Sequence, residues 1–140
     1  MSNRFLDTNI LVYACDLDQP AKRKAAREIM RRESGALPPC ISTQVVQEFY
    51  VTATRKLNIA PLKVKDIIHS FRNLRTVTIE LDDIGRAIEG NILWRVSFWD
   101  ALVIVAAQKA RCDILYTEDL NDGQKFDGLT VCNPFKSVKE

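Results

Sequence analysis

Ala101–Ala107, reading ALVIVAA, is seven consecutive residues without a polar side chain. A helix that is apolar all the way round belongs between two layers, since any face turned to water would expose hydrocarbon. The rest of the chain must therefore cover this run from both sides. Asp100 stands immediately before it, and Asp119 follows the next short hydrophobic stretch, Ile114–Tyr116. Carboxylates at the margin of a core are costly unless something compensates them. One at a helix start and one at a strand end read as half of an acidic metal-binding site.

Around this centre the pattern alternates strand and helix. Arg4–Leu6 reads as a first strand, then comes a turn at Asp7-Thr8-Asn9 and a short helix capped by Thr8 or Asn9. Pro20 suits the first position of a basic helix ending near Ser34-Gly35. Leu37–Ser42 is a loop entering a second strand. Ser42 or Thr43 opens a helix, Gln44–Lys56, with Val45, Val46, Phe49, Tyr50 and Ala53 on one stripe and Glu48 off its centre. A helix over Leu62–Phe71, a third strand over Thr76–Ile79 and a helix from Asp82 to about Leu93 lead into the buried helix. Ile114–Tyr116 and Leu129–Cys132 are the fourth and fifth strands. This alternation predicts one α/β domain over residues 1–140, with a parallel sheet of four to five strands covered by helices on both faces.

Net charge is only +2, so its distribution matters more than its size. Ala21–Glu33 carries Lys22, Arg23, Lys24, Arg27, Arg31 and Arg32 against two glutamates, whereas Asp113–Asp127 carries five acids against Lys125. A solvated helix face accounts for the basic stretch by itself. Cys15, Cys40, Cys112 and Cys132 have no zinc spacing and no need of a disulfide framework at this size, so they read as small core residues in a reducing compartment. MSNRFLD meets an acid before an apolar leader can form, and no apolar run approaches the roughly 18 residues of a bilayer span. The expectation is a cytoplasmic protein without a membrane anchor.

In open parallel sheets, ligands bind outside the carboxyl ends of the strands. Asp7 and Asp119 share that edge, and Asp100 and Glu48, near the starts of their helices, face it if those helices run back from it. One like-charged pair about 4 Å apart costs about 4 kcal/mol at an effective dielectric near 20. Either protons or a divalent cation must relieve four such groups. Mg²⁺ and Mn²⁺ favour oxygen ligands and pair with phosphate, which makes metal-assisted phosphodiester hydrolysis the reaction class. Each acid also has a duller reading: Asp100 completes a Ser97-x-x-Asp capping pattern, Glu48 suits a solvated helix face, and Asp7 and Asp119 suit a turn and a loop.

FLDTNILVYA, STQVVQEFY, FWDALVIVAA and LYTEDL together resemble the PIN-domain nucleases, from Phe5 to about Val131. The likeness is to the VapC-type toxins of toxin–antitoxin pairs. It implies a three-layer α/β/α fold and a Mg²⁺- or Mn²⁺-dependent endoribonuclease acting as a homodimer and blocked by a cognate antitoxin. It places the acidic quartet on Asp7, Glu48, Asp100 and Asp119, with Asn9 and Thr117 as accompanying polar residues. Asp7, Asp100 and Asp119 would hold the metal, and Glu48 would hold or orient the attacking water. Glu118 and Asp119 are adjacent, and the choice between them rests on the alignment of Thr117 alone. The basic helix Lys22–Arg32, with Lys22, Arg23, Lys24 and Arg27, would hold the RNA backbone.

A signalling receiver domain competes, with Asp82 and Thr117 in its key positions, but Asp7 is followed by Thr8 rather than a second acid. A D-x-D-x-T phosphatase fails at Asn9. A DNA nuclease on the same acids, and a non-catalytic binding module, remain as alternatives. His69 reads as packing or solvated, the aromatic cluster Trp94, Phe98 and Trp99 as core or subunit-interface packing, and Asp82-Asp83 as a helix start.

Overall fold

The computed structural model describes residues 3–31 and 36–138. In chain order the elements are β1 (Arg4–Leu6), α1 (Thr8–Tyr13), α2 (Pro20–Met30), β2 (Cys40–Ser42), α3 (Thr43–Arg55) and α4 (Pro61–Ser70). After a 3-10 turn at Phe71–Asn73 come β3 (Arg75–Val77), α5 (Leu81–Trp94), α6 (Phe98–Lys109), β4 (Ile114–Tyr116), β5 (Lys125–Phe126) and β6 (Leu129–Cys132). One sheet runs β3-β2-β1-β4-β6-β5, parallel throughout except for β5, which pairs antiparallel with β6. Phe5, Leu6, Ile41 and Leu115 in its middle are fully buried, as parallel strands covered on both faces require.

The apolar helix is buried along the whole of Ala101–Ala107. Val103, Ile104, Ala106 and Ala107 join the main core with β1, β2 and β4. Ala101, Leu102 and Val105 form a second cluster with Ala87 of α5. The helix is thus held between the sheet and α5, which is why no face of it carries a polar residue. α5 begins with a reciprocal capping box between Glu80 and Asp83, and Asp83 also takes an ion pair from Lys109 of α6 at 2.7 Å. Among the described residues no single helix is long and apolar enough to cross a membrane.

The structure corrects several boundaries. The sheet has six strands, because Asp127 and Gly128, both at positive φ, turn a two-residue hairpin between β5 and β6. The third strand is Arg75–Val77 rather than Thr76–Ile79, and α4 starts on Pro61 and ends at Ser70. Neither Thr8 nor Asn9 caps α1; the carboxylate of Asp7 does, accepting from the Thr8 N–H at 2.7 Å. On α3 the stripe of Val45, Phe49 and Ala53 is buried as expected, but Tyr50 lies on the solvent side. The basic helix ends at Met30; Arg32, Ser34 and Gly35 lie outside the described residues.

Candidate active site

The strand order fixes where the acids meet. From β1 the chain builds outward to β2 and β3, then returns through α5 and α6 to place β4 on the other side of β1. Connections leave the ends of β1 and β4 in opposite directions, opening a crevice there. Asp7 ends β1 and Thr117-Glu118-Asp119 end β4, with Arg4–Leu6 opposite Ile114–Tyr116 in register. α6 brings in Asp100 at its first turn, where the Ser97 hydroxyl accepts from the Asp100 N–H at 3.0 Å. Asp7, Asp100 and Asp119 each offer a carboxylate oxygen, and these three atoms lie within 4.8 Å of one another. Glu48, half-buried on α3, faces the same crevice, since its charge acts on Asp7 and it feels the charges of Asp100 and Asp119.

Fixed hydrogen bonds hold this cluster. The Thr117 hydroxyl, fully buried, donates to Asp7 Oδ2 at 2.8 Å and accepts from Asn9 Nδ2 at 3.2 Å and from the Asp119 N–H at 3.1 Å. Its single donor and both lone pairs are therefore in use. Asn9 Nδ2 also donates to Asp119 Oδ2 at 3.2 Å. Glu118 lines the same cleft but is outside this cluster, its Oε1 accepting from the Tyr13 hydroxyl at 2.9 Å. Of the two adjacent acids, Asp119 is the one in the cluster. Asp82 is exposed in the first turn of α5, away from the group, so the receiver-type arrangement is not built.

Electrostatics show what the cluster lacks. Burial, followed by the charges of Asp119 and Glu48, pushes the Asp7 carboxyl up to about 7, against the lowering effect of its bonds from Thr117 and Thr8. Burial also raises Glu48 and Asp100, with neighbouring carboxylates adding to both. No Lys or Arg is among the influences on any of the three. Nearby oxygens are equally under-used: Thr8 Oγ1 and Asn9 Oδ1 are buried without a hydrogen-bond partner. Converging carboxylates that form no ion pair among the described residues, with Thr8 and Asn9 oxygens spare beside them, suit a hydrated divalent cation of the hard, oxygen-seeking kind.

Two residues at the site carry no obvious mark in the sequence. Gln44, one turn before Glu48, is buried and donates from Nε2 to the Glu48 carboxylate and to the Trp99 carbonyl at 3.3 Å, fixing the acid's direction. Lys56, at the end of α3, lines the acidic cleft together with Glu48 and Asp119. A helical i, i+4 pairing of Gln44 with Glu48 was the available hint. The basic residues of α2 separate. Lys22 lies over the Tyr13 ring at 4.8 Å, at the cleft edge. Arg23 and Arg27 line a neighbouring cavity of about 650 Å³ that Lys56 also borders, and Arg27 is anchored by its Nε to the Ala14 carbonyl. Lys24 points to solvent.

The PIN-domain family model matches residues 4–125, a span that contains all four acids. The chain belongs to the PIN-domain family. No curated protein matches this PIN domain. Among solved structures it is similar to a toxin–antitoxin complex from Klebsiella pneumoniae, at TM-score 0.69 and 21% identity, over 94% of this chain and 98% of that one. VapC20 of Mycobacterium tuberculosis, described as a sarcin-ricin loop cleaving toxin, has TM-score 0.62 at 17% identity over 81% and 87% of the two chains. VapBC2 of Rickettsia felis, bound to a DNA fragment of its promoter, has TM-score 0.65 at 14% identity over 91% and 96%. These likenesses show a PIN fold with its mostly parallel sheet flanked by helices.

Proposed function

We propose that this PIN domain is an endoribonuclease dependent on Mg²⁺ or Mn²⁺ and the toxin of a toxin–antitoxin pair. The observation that carries the reading is the convergence of Asp7, Asp100 and Asp119, with oxygens within 4.8 Å of one another at the switch point of the sheet. Such an ion, when bound, makes water more acidic and offsets charge building on a phosphodiester. Asp7, Asp100 and Asp119 would hold it directly or through water. Glu48, aimed by Gln44, orients the attacking water and takes its proton, a task suited to a carboxylate raised above its ordinary range. Thr117 and Asn9 keep Asp7 and Asp119 in place. Lys22, Lys56, Arg23 and Arg27 supply positive charge along the cleft and the adjoining cavity for an RNA backbone, and exposed Lys24 adds to the same face of α2.

The structural neighbours support the partners in this reading, since they are toxin–antitoxin complexes or a toxin described as cleaving the sarcin-ricin loop. Four free cysteines agree with a cytoplasmic site of action. A homodimer is part of the proposal, supported by an apolar face of α5 that packs on nothing in the single chain.

Incubation of the full chain with labelled RNA and labelled DNA, in Mg²⁺, in Mn²⁺ and in EDTA, tests the reading. RNA is cleaved only with metal, and Asp7→Asn loses at least about a hundredfold of the rate. Cleavage of DNA in place of RNA would move the assignment to a DNA nuclease. An Asp7→Asn chain as fast as the wild type would end it.

A further inference from the structure

Beside the acidic cleft, on the far side of Glu48, lies a second cavity of about 370 Å³, lined by Gln44, Gln47, Glu48, Val51, Thr52 and Trp99. Trp99 is 61% exposed, an unusual position for the largest apolar side chain. Its ring is braced edge-on against Phe98 at 5.1 Å, and its carbonyl is fixed by Gln44. Gln44 is only 5% exposed, and its Oε1 has no hydrogen-bond partner. The amide cannot be turned round to relieve this, because Nε2 already faces two acceptors, Glu48 Oε1 and the Trp99 carbonyl. Exposed Trp99 and Gln44, whose buried Oε1 has no partner, thus line one cavity, and Glu48 also lines the acidic cleft.

We infer that this cavity holds one nucleobase of the substrate strand, next to the bond that is cut, stacked on Trp99 and donating an N–H to Gln44 Oε1; this rests on the RNA-cleaving reading above. A nucleobase offers both things the cavity asks for, a flat π face and a donor edge. A phosphate is excluded from this position by the Glu48 carboxylate. An apolar side chain from a second copy of the protein would cover Trp99 but leave Gln44 Oε1 unsatisfied. The same stack sets the strand so that its phosphate reaches Asp7, Asp100 and Asp119.

Binding of a short single-stranded oligoribonucleotide in EDTA tests this without cleavage. The chain has two tryptophans, so Trp94→Phe leaves Trp99 as the sole emitter, and stacking quenches it. Anisotropy of the labelled oligonucleotide follows the same binding with Trp94 retained. Trp99→Ala weakens binding about tenfold and Trp99→Phe less than about threefold. An abasic nucleotide at one position brings the wild type down to the level of Trp99→Ala. With metal, Trp99→Ala lowers kcat/KM about tenfold, and Trp99→Phe less than about threefold. Quenching without cleavage in Mg²⁺ or Mn²⁺ would keep this subsite and remove the nuclease reading. Metal-dependent cleavage with no quenching and no effect of Trp99→Ala would remove the subsite alone. A change of oligomeric state in Trp99→Ala with RNA affinity intact would assign Trp99 to a subunit contact and overturn the inference. Absence of both binding and cleavage would overturn both.

Discussion

Asp7 is asked to do three things at once: end a strand, cap a helix and carry a charge inside the core. Its carboxyl, pushed from 3.8 up to about 7 chiefly by burial, stays protonated in the metal-free fold where an unfolded chain would have ionised. The folded state therefore holds the extra proton between those values, and metal-free stability is greatest at the acid end of the window and falls as pH rises towards 7. The full span corresponds to at most about 4 kcal/mol. Chemical denaturation in EDTA is expected to show Asp7→Asn gaining on the wild type from pH 5 to pH 8, and saturating Mg²⁺ or Mn²⁺ to reverse that order. Equal pH dependence of the two proteins would contradict the burial of this charge. Thr117→Val tests the residue behind it. Removing a hydroxyl that serves Asp7, Asn9 and Asp119 is expected to weaken metal affinity about 10–100-fold in a calorimetric titration, with the fold intact. Asp7, Asp100 and Asp119 stood out in the sequence because each falls at a junction between elements, whereas Glu48, inside α3, was placed by the resemblance. The resemblance alone could not divide Glu118 from Asp119; Asp119 joins Asp7 and Asp100 in the cluster, while Glu118 is held by Tyr13, more than a hundred residues away. Gln44 showed only its i, i+4 spacing to Glu48, since its contact with the Trp99 carbonyl is not a local property.

Among the elements, α6 was the most legible, because a run with no polar face admits only one kind of environment. Ile104 is fully buried between the sheet and α5, and Ile104→Ala is expected to cost about 2–5 kcal/mol in urea denaturation. A cost below about 1 kcal/mol would mean that the helix is not enclosed as described. Short strands were read less well. β5 is two residues long, too brief for any alternation to show, although Asp127-Gly128 between Phe126 and Leu129 carried the turn chemistry of a tight hairpin. The cap of α1 was misassigned because Thr8 and Asn9 are ordinary capping residues, and only the register of β1 shows that Asp7 occupies the position. In the aromatic cluster, Trp94 does pack, against Phe126 at 5.3 Å and over Gly90, where any added Cβ would meet its ring. Trp99, five residues later, faces water. Periodicity around the Arg95 turn gave no basis for separating them, since that residue takes left-handed geometry and redirects the chain between α5 and α6.

For the molecule as a whole, the parallel fold was legible from alternation, while its surfaces were not. α5 leaves Ile88, Ile92 and Leu93 at 50%, 74% and 77% exposure, with Leu81 at 85% a further two turns back. Leu81, Ile88 and Ile92 fall on one face by helical spacing, more apolar surface than an isolated domain normally leaves to water. Sedimentation velocity should show the wild type as a dimer and Ile92→Glu with Leu93→Glu as a folded monomer. A wild-type monomer at micromolar concentration would remove this element of the proposal. RNA binding should also fall steeply with added salt, since the strand must lie near Lys22, Lys56 and Arg23 before it enters an acidic cleft.

The position of β1 has one more effect, on how much of the chain must be present before the acidic cluster can form. Residue 4 pairs with residue 114, so β1, at the middle of the sheet, gains its β4 neighbour only when the segments through α6 are in place. Asp119 arrives later still. A chain that stops just short of residue 119 carries Asp7, Glu48 and Asp100 yet no complete acidic cluster.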